Sequence, residues 1–276
     1  MIELGKYNEL KVVKSVEFGL YLDGDDYGEI LIPTRYIPIN TSVDDVIRVF
    51  LYRDSEDRII ATTEKPLAIV GECAYLKVVS KGKAGVFVDW GLTKDILVPY
   101  SEQGVSMEPD NSYLVYIYVD QQTDRIVASS KLDKFIDNTF PEYEEKEEVD
   151  IIIHSKTDLG YKAVINNLHW GVLYQNEVFQ SLKQGQKLKA YIKKVREDDK
   201  IDLSLHKPGY DKVEDSSRLI LDALRENKGK LNLTDKSPAD EIYAAFRMSK
   251  KTFKKAIGKL YKEKIIALTD DGISLN

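Results

Sequence analysis

The sequence predicts a mostly β protein in which small closed barrels follow one another and a mixed α/β domain ends the chain. Residues 1–207 are rich in short apolar segments that alternate with polar residues and are bounded by turns, as expected for barrel strands. Their arrangement recurs three times at a spacing of about 70 residues, which indicates a tandem array. From residue 211 the apolar period changes from two to about 3.6, the period of a helix.

The clearest copy of the repeat is the stretch 81–103, KGKAGVFVDWGLTKDILVPYSEQ. If this stretch is a strand with a side-chain period of two, Val86 and Val88 face one way and Phe87 and Asp89 face the other. A second apolar run, 96–98, follows a turn, so the stretch predicts a twisted hairpin. Gly85 allows the strand to bend sharply, as small closed barrels require at their corners.

Two related copies flank this hairpin. Residues 18–33 contain an apolar strand, a loop and a second apolar strand, and residues 159–177 repeat the arrangement downstream. Each copy then ends with an apolar strand, a charged turn and a further strand, as in residues 46–62. Lys65-Pro66 separates the first two copies, because proline cannot join a central strand ladder. The predicted domains are the barrels 1–64, 67–133 and 142–207 and the α/β domain 211–276.

The α/β domain follows the turn Pro208-Gly209. Its predicted elements are a helix capped by Ser216 or Ser217, a strand 230–233, a helix opened by Ser237-Pro238, a helix 250–262 capped by Ser249, and a hairpin 265–275 that turns through Asp270 and Gly272. This order of helix, strand, two helices and hairpin resembles a winged helix along the whole of 211–276.

The repeat carries a more specific resemblance. A basic-x-basic-x-Gly-x-Phe-Val-Asp motif, then a turn, then Asp-x-Leu-Val-x-x-Ser-Glu, resembles the core of the RNA-binding domain repeated in ribosomal protein S1. That resemblance implies five-stranded OB barrels. Three such barrels and a winged helix resemble the bacterial family of S1-like RNA-binding proteins typified by conserved virulence factor B. What the family implies is a cytoplasmic, non-enzymatic protein that binds RNA and regulates gene expression after transcription.

The S1 resemblance also implies a binding face. In that family an aromatic residue precedes the glycine of strand two, a second aromatic follows three residues later, and a histidine follows strand three. Copy one has Phe18 and Tyr21, copy two keeps only Phe87, and copy three has Tyr174 at the third position. The predicted RNA-binding residues are these four aromatics, for stacking on bases, and Arg35, Lys81, Lys83 and Lys94, for phosphates.

Each of these residues also has a plainer interpretation. An aromatic side chain in a strand can belong to the barrel core, and alternation favours exposure of Tyr21 and Phe87. A single lysine or arginine is commonly part of the solvated surface. Copy two is closest in sequence to the S1 motif but has Ala84 at the first aromatic position and Pro99 at the histidine position, which leaves open which barrel binds most strongly.

The third helix of the winged helix has a basic face. Phe253, Ala256, Ile257 and Leu260 share one side of the helix at 3.6 residues per turn. This predicts a recognition helix that presents lysines to a nucleic-acid groove, and the alternative is a solvated amphipathic helix. The lysines on the opposite side and its flank are Lys250, Lys251, Lys254, Lys255, Lys259 and Lys262.

Composition excludes several other classes. Cys73 is the only cysteine, so no intramolecular disulfide or cysteine-rich zinc site is possible. The three histidines are scattered and no glycine-rich phosphate loop precedes a helix, so we expect no catalytic residues, metal or cofactor. No apolar segment is long enough to span a membrane, and we expect no membrane partner. The net charge is −6, and an acidic run, 142–150, contributes to it.

Three functions remain open at this point. The first is binding of single-stranded RNA along the barrels, with the winged helix contributing and with duplex nucleic acid as a further partner. The second is a DNA-binding transcriptional regulator in which the winged helix binds duplex DNA. The third is a protein-interaction scaffold, which the acidic excess and the missing aromatics would suit.

Overall fold

The computed structural model describes residues 2–178, 180–205, 212–246, 248–269 and 271–276. It contains three closed barrels of five strands each, followed by three helices and a three-stranded sheet. The predicted fold class, tandem five-stranded OB-type barrels and a winged helix, is confirmed. The predicted end of the array at Pro208-Gly209 lies outside the described residues, and the domain boundaries stay predictions.

All three barrels have the same strand order, in which the third strand pairs with both the second and the fifth. Barrel 1 contains β1 (Tyr7–Val16), β2 (Gly19–Asp23), β3 (Glu29–Pro33), β4 (Val46–Arg53) and β5 (Ile59–Thr62). Barrel 2 contains β6 (Cys73–Lys81), β7 (Gly85–Val88), β8 (Ile96–Pro99), β9 (Ser112–Asp120) and β10 (Arg125–Ser129). Barrel 3 contains β11 (Glu148–Thr157), β12 (Gly160–Ile165), β13 (His169–Tyr174), β14 (Lys187–Val195) and β15 (Ile201–Ser204).

The second strand of every barrel begins with a glycine, because the neighbouring third strand leaves no room for a side chain there. A Cβ atom added at Gly85 would lie 2.1 Å from the carbonyl oxygen of Val98 on β8. The corresponding distances are 2.3 Å at Gly19 in barrel 1 and 2.0 Å at Gly160 in barrel 3. Strands two and three therefore approach so closely at this point that no side chain fits between them.

The winged helix has a core of its own. Ser249 caps the third helix as predicted, because its Oγ accepts a hydrogen bond from the Thr252 N–H at 3.1 Å. The predicted start of the first helix is wrong: the helix begins at residue 212, so Ser216 and Ser217 are buried within it. The elements are α1 (Lys212–Glu226), β16 (Lys230–Leu231), α2 (Ala239–Phe246), α3 (Lys250–Lys262), β17 (Ile266–Leu268) and β18 (Ile273–Leu275). Asp270, in the predicted hairpin turn, lies outside the described residues.

An apolar contact joins barrels 1 and 2. Phe50 and Tyr52 point out of barrel 1 and pack against Trp90 of barrel 2, with ring centroids 5.6 and 6.4 Å apart. Two ion pairs join the charged turns of the same barrels, Arg53 with Asp124 and Arg125 with Asp57. The two barrels are thus held against each other by both apolar and charged contacts.

Barrels 2 and 3 meet through a smaller apolar cluster. Cys73 and Leu114 of barrel 2 pack there with Ile152 and Val164 of barrel 3. The Cys73 backbone N–H donates a hydrogen bond to Asn167 Oδ1 at 2.9 Å. Burial raises the pKa of the Cys73 thiol to about 12. Among the described helices, none is long and apolar enough to cross a membrane.

Candidate nucleic-acid interface

Strand register places equivalent residues at the same position on the face of each barrel. Tyr21 on β2 pairs with Leu31 on β3, and Phe87 on β7 pairs with Leu97 on β8. In barrel 3 the equivalent position is Lys162, which pairs with a valine on β13. The predicted correspondence between the three copies therefore holds in space, and only the side chains differ.

Barrel 1 has the most complete aromatic face. The Phe18 side chain is 59% exposed, and its ring lies edge-to-face against half-buried Tyr21 with centroids 6.5 Å apart. Lys14 on β1 is paired with Tyr21, and its Nζ lies 5.5 Å from the centre of the Tyr21 ring. Two adjacent ring surfaces beside an ammonium group are suited to stacking bases and contacting their phosphates.

Sequence reasoning missed Lys14. The signal that could have found it is the hairpin between β1 and β2, because pairing the two strands around the turn at residues 17 and 18 brings Lys14 opposite Tyr21. A register shift between Val12 and Lys14 shows that the hairpin contains a bulge, so simple counting along the strands gives the wrong partner for residues beyond it.

Arg35 lies beside this face, in the short turn that follows β3. The Thr34 N–H of that turn donates a hydrogen bond to the Phe18 carbonyl oxygen at 3.1 Å. The Arg35 guanidinium lies over the Tyr36 ring, 4.5 Å from its centroid, and Arg35 remains exposed. It is therefore accessible to a phosphate near the aromatic pair.

The three predicted lysines of barrel 2 differ in their surroundings. Lys81 forms an ion pair with Glu108 at 3.0 Å, and this contact raises the pKa of Lys81. Lys94 is partly buried, and its Nζ donates a hydrogen bond to the Asp54 carbonyl oxygen at 2.5 Å. Lys83 is exposed, and within the described residues it has no ion pair. Phe87 is half-buried on β7.

Tyr174 of barrel 3 is held in a polar network. Its hydroxyl donates a hydrogen bond to Asp202 Oδ1 at 3.2 Å and accepts one from the Arg196 guanidinium. Arg196 also forms an ion pair with Asp202 at 2.6 Å. Tyr174 is thus a half-buried ring held in place by hydrogen bonds. Barrel 3 has no aromatic pair at the positions that Phe18 and Tyr21 occupy in barrel 1, where it has Leu159 and Lys162.

Barrel 3 has a further aromatic residue, Trp170, that is not among the predicted RNA-binding residues. It lies on β13 below Lys162, whose Nζ is 3.6 Å from the centre of a Trp170 ring. The Trp170 indole N–H donates a hydrogen bond to Asp133 Oδ1 at 2.9 Å. In place of the edge-to-face aromatic pair of barrel 1, barrel 3 has the Lys162 ammonium held over the Trp170 ring.

Helix α3 of the winged helix buries the predicted apolar face and exposes part of the predicted basic face. Lys251, Lys255 and Lys262 are exposed. Lys254 forms an ion pair with Asp235 at 3.3 Å, and Lys250 donates a hydrogen bond to the Lys236 carbonyl oxygen at 3.1 Å. Lys259 is half-buried.

The described part of the chain contains no group of three or more histidine, cysteine or acidic side chains placed to hold a metal ion. The interface is instead built from aromatic rings and basic side chains, which bind by stacking and charge.

Comparisons with known proteins agree with this architecture. Residues 4–64 and 70–131 match the S1 domain, and residues 218–275 match the CvfB-like winged helix domain. The chain is 28% identical to protein YitL of Bacillus subtilis, and the alignment covers 94% of this chain and 89% of that protein. It is 24% identical to conserved virulence factor B of Staphylococcus epidermidis over 82% of its length and 78% of that protein.

One solved structure also aligns with most of the chain. It is a multidomain protein with nucleic acid binding domains from Streptococcus pneumoniae, 24% identical, with 99% of this chain and 98% of that one covered and a TM-score of 0.44.

S1 and winged-helix domains are nucleic-acid-binding types and not enzyme families. Barrel 3, which lies between the second S1 match and the winged-helix match, has the same strand order as the two S1 domains. The chain therefore combines S1 domains with a CvfB-like winged helix domain, and over most of its length it is similar to proteins named conserved virulence factor B.

Proposed function

We propose that this protein binds single-stranded RNA on its S1 barrels, with the basic face of the winged helix contributing, and that it regulates gene expression after transcription. The observation that carries the proposal is the edge-to-face pair of exposed Phe18 and half-buried Tyr21 beside Lys14. Bases in a duplex are already stacked on each other, so exposed rings on a barrel favour an unpaired strand.

The net charge of −6 does not oppose this function, because phosphate contacts depend on where cations lie. Residues 211–276 carry 14 basic and 11 acidic side chains, whereas the acidic excess lies in the first 210 residues. Several weak contacts on one chain also add up, because binding of one barrel raises the effective concentration of the strand at the next. The family relation supports a cytoplasmic location, which stays a prediction.

Fluorescence anisotropy with a labelled, unstructured RNA tests the proposal on the full chain. Replacing both Phe18 and Tyr21 by alanine removes the stacking surface, and we expect affinity to fall at least about tenfold, since stacking contributes roughly 1–3 kcal/mol per base. Tyr27→Ala is the matched control, because Tyr27 is an exposed aromatic of the same barrel that lies outside this face. Equal losses in both variants, or wild-type binding that does not weaken with salt, would contradict the proposal.

The unpaired lysines of α3 support a second candidate, a regulator that binds duplex DNA through the winged helix. Lys251 and Lys255 are exposed without an ion pair among the described residues, whereas neighbouring Lys254 is paired with Asp235. If duplex DNA is the ligand, Lys251→Ala with Lys255→Ala should weaken duplex binding more than Lys254→Ala does, and the double aromatic variant should bind duplex normally. Absence of salt-sensitive binding to either RNA or duplex would instead favour a scaffold.

A further inference from the structure

A cleft of about 360 Å³ lies between barrels 1 and 2. One side is formed by the face of barrel 2 that carries Phe87, and the other by the charged turn between β4 and β5 of barrel 1. We propose that this cleft binds one nucleoside phosphate unit, with the base on Phe87 and the phosphate at Lys94. The inference rests on the proposed function and adds that the site on barrel 2 is completed by barrel 1.

The floor of the cleft is apolar. Phe87, Leu97 and Val127 are consecutive partners across β7, β8 and β10, and all three line the cleft. Ala84, which also lines the cleft, occupies the position that Phe18 has in barrel 1. Because Ala84 lacks a ring, the floor beside Phe87 stays open for a planar group, and a base is such a group.

The opposite wall belongs to barrel 1 and is fixed in place. Arg53, Ser55 and Asp57 line the cleft from this side. Arg53 is paired with Asp124 of barrel 2, and Asp57 accepts from the Arg125 guanidinium at 2.8 Å. These contacts hold the wall against barrel 2, so the shape of the cleft depends on both barrels.

The cleft has an excess of positive charge at Lys94. Three basic and two acidic side chains line it, and both arginines have carboxylate partners. The Lys94 ammonium donates a hydrogen bond to the backbone carbonyl oxygen of Asp54. Among the described residues, it forms no ion pair with a carboxylate. Burial lowers the pKa of Lys94, and the nearby Arg125 lowers it further, against the opposing effect of Asp57. An anion placed here would supply the ion pair that Lys94 does not have among the described residues.

The size of the cleft suits one nucleotide. Small-molecule sites commonly have volumes of about 300–1,000 Å³, and this cleft is near the lower limit. An apolar floor that accepts a ring, next to a lysine without an ion pair among the described residues, matches a base and its phosphate better than it matches a simple inorganic anion. The unit can be one nucleotide of a bound RNA strand or a free mononucleotide, which share this chemistry.

Two variants of the full chain test the cleft from its two sides. Lys94→Met keeps the length of the side chain and removes the charge. Ser55→Glu places a carboxylate on the barrel 1 wall at an exposed position. The matched control is Gln121→Glu, which adds the same charge on an exposed turn outside the cleft. Thermal melting of each variant shows whether it is folded.

Each variant is titrated with an unstructured RNA over a range of salt concentrations and, separately, with adenosine 5′-monophosphate by calorimetry. We expect Lys94→Met and Ser55→Glu to weaken RNA binding several-fold relative to Gln121→Glu. The log–log salt slope of Lys94→Met should be smaller by about 0.7, the value for one phosphate contact on a single strand. A merely structural effect of Lys94 would not change that slope.

The outcomes separate the possibilities. Loss of RNA affinity without mononucleotide binding supports a strand site, and mononucleotide binding that is lost in Lys94→Met supports a free-nucleotide site. If wild type binds RNA, and Lys94→Met and Ser55→Glu bind both probes as Gln121→Glu does, the cleft inference is overturned while the proposed function stands. If wild type binds no RNA, the proposed function itself fails.

Discussion

Side chains at equivalent positions of the three barrels change from aromatic to charged along the chain. The row across strands two, three and five is Tyr21, Leu31 and Ile60 in barrel 1. In barrel 3 the same row is occupied by Lys162, Val172 and Asp202. A base can stack on the first row, whereas the third is suited to polar and charged contacts, so the barrels are not equivalent binding units.

Residue identity alone does not reveal which basic side chains are available. Lys81 and Lys83 are separated by one glycine and are indistinguishable in the sequence. Lys81 forms an ion pair with Glu108, which is distant in sequence and comes close to Lys81 only in the folded barrel. The two lysines therefore illustrate why motif positions can indicate a candidate binding face but cannot indicate which lysines on it are without an ion pair.

His154 gives a prediction about pH. Its ring packs edge-to-face on Trp170 with centroids 5.1 Å apart, and its pKa is lowered by burial and by the nearby Lys162. The unfolded chain therefore binds a proton more readily than the folded one, so the stability that depends on neutral His154 is complete above about pH 6.5 and is lost as the pH falls below that value toward the lowered pKa.

The measurement is the melting temperature of wild type and His154→Gln at about pH 7.5 and pH 5.5, on either side of the ordinary histidine pKa. Other groups titrate alike in both proteins, so the difference isolates His154. We expect wild type to lose more stability than the variant on acidification. An equal loss in the two proteins would show that His154 is not held neutral by its surroundings.

Among the elements, the tightest constraint is the contact between the second and third strands of each barrel. Gly85→Ala would place a Cβ 2.1 Å from the Val98 carbonyl oxygen, and backbone on both sides limits relaxation. We expect a loss of about 1–3 kcal/mol in the free energy of unfolding, as for overpacked cores. Urea denaturation measures it.

The matched control is Gly104→Ala in the same barrel. The nearest atom to an added Cβ at Gly104 is 3.5 Å away, an ordinary contact, and the φ angle there is not in the left-handed region. Gly104→Ala should therefore leave the urea midpoint nearly unchanged. Equal effects at the two glycines would mean that the close strand approach is not what requires Gly85.

Most strands could be predicted from the sequence because each buries one face and alternates accordingly. Strand β7, with Val86 and Val88 buried and Phe87 half-buried, is the clearest case. Strand β4 departs from alternation: residues 49–52 are all buried, because one face lies in barrel 1 and the other against barrel 2. That run of four apolar residues was a signal of an inter-barrel contact that the repeat alone did not explain. The start of α1 was misplaced because Ser216 and Ser217 look like caps, although they pack inside the helix.

At the scale of the whole molecule, neighbouring barrels of the tandem array pack against each other and are not connected by linkers alone. Phe50 and Tyr52 of barrel 1 belong to the same apolar cluster as the core of barrel 2. Barrel 3 continues the array through Cys73, whose buried thiol has a strongly raised pKa. A strand bound along these barrels would meet a surface of fixed shape at each junction, and this lowers the entropy cost of engaging successive sites.

The two kinds of contact between barrels 1 and 2 make different predictions about what holds them together. Phe50 is fully buried at the junction, so Phe50→Ala should cost about 3–5 kcal/mol, as for other large aromatic truncations in cores. Asp57 and Arg125 are 39% and 58% exposed, and an ion pair between exposed groups is strongly screened by solvent. Asp57→Asn should therefore leave the unfolding midpoint nearly unchanged. Urea denaturation followed by circular dichroism compares the two variants with wild type. A larger effect of Asp57→Asn than of Phe50→Ala would show that charge, rather than the apolar packing of Phe50 against barrel 2, joins the barrels.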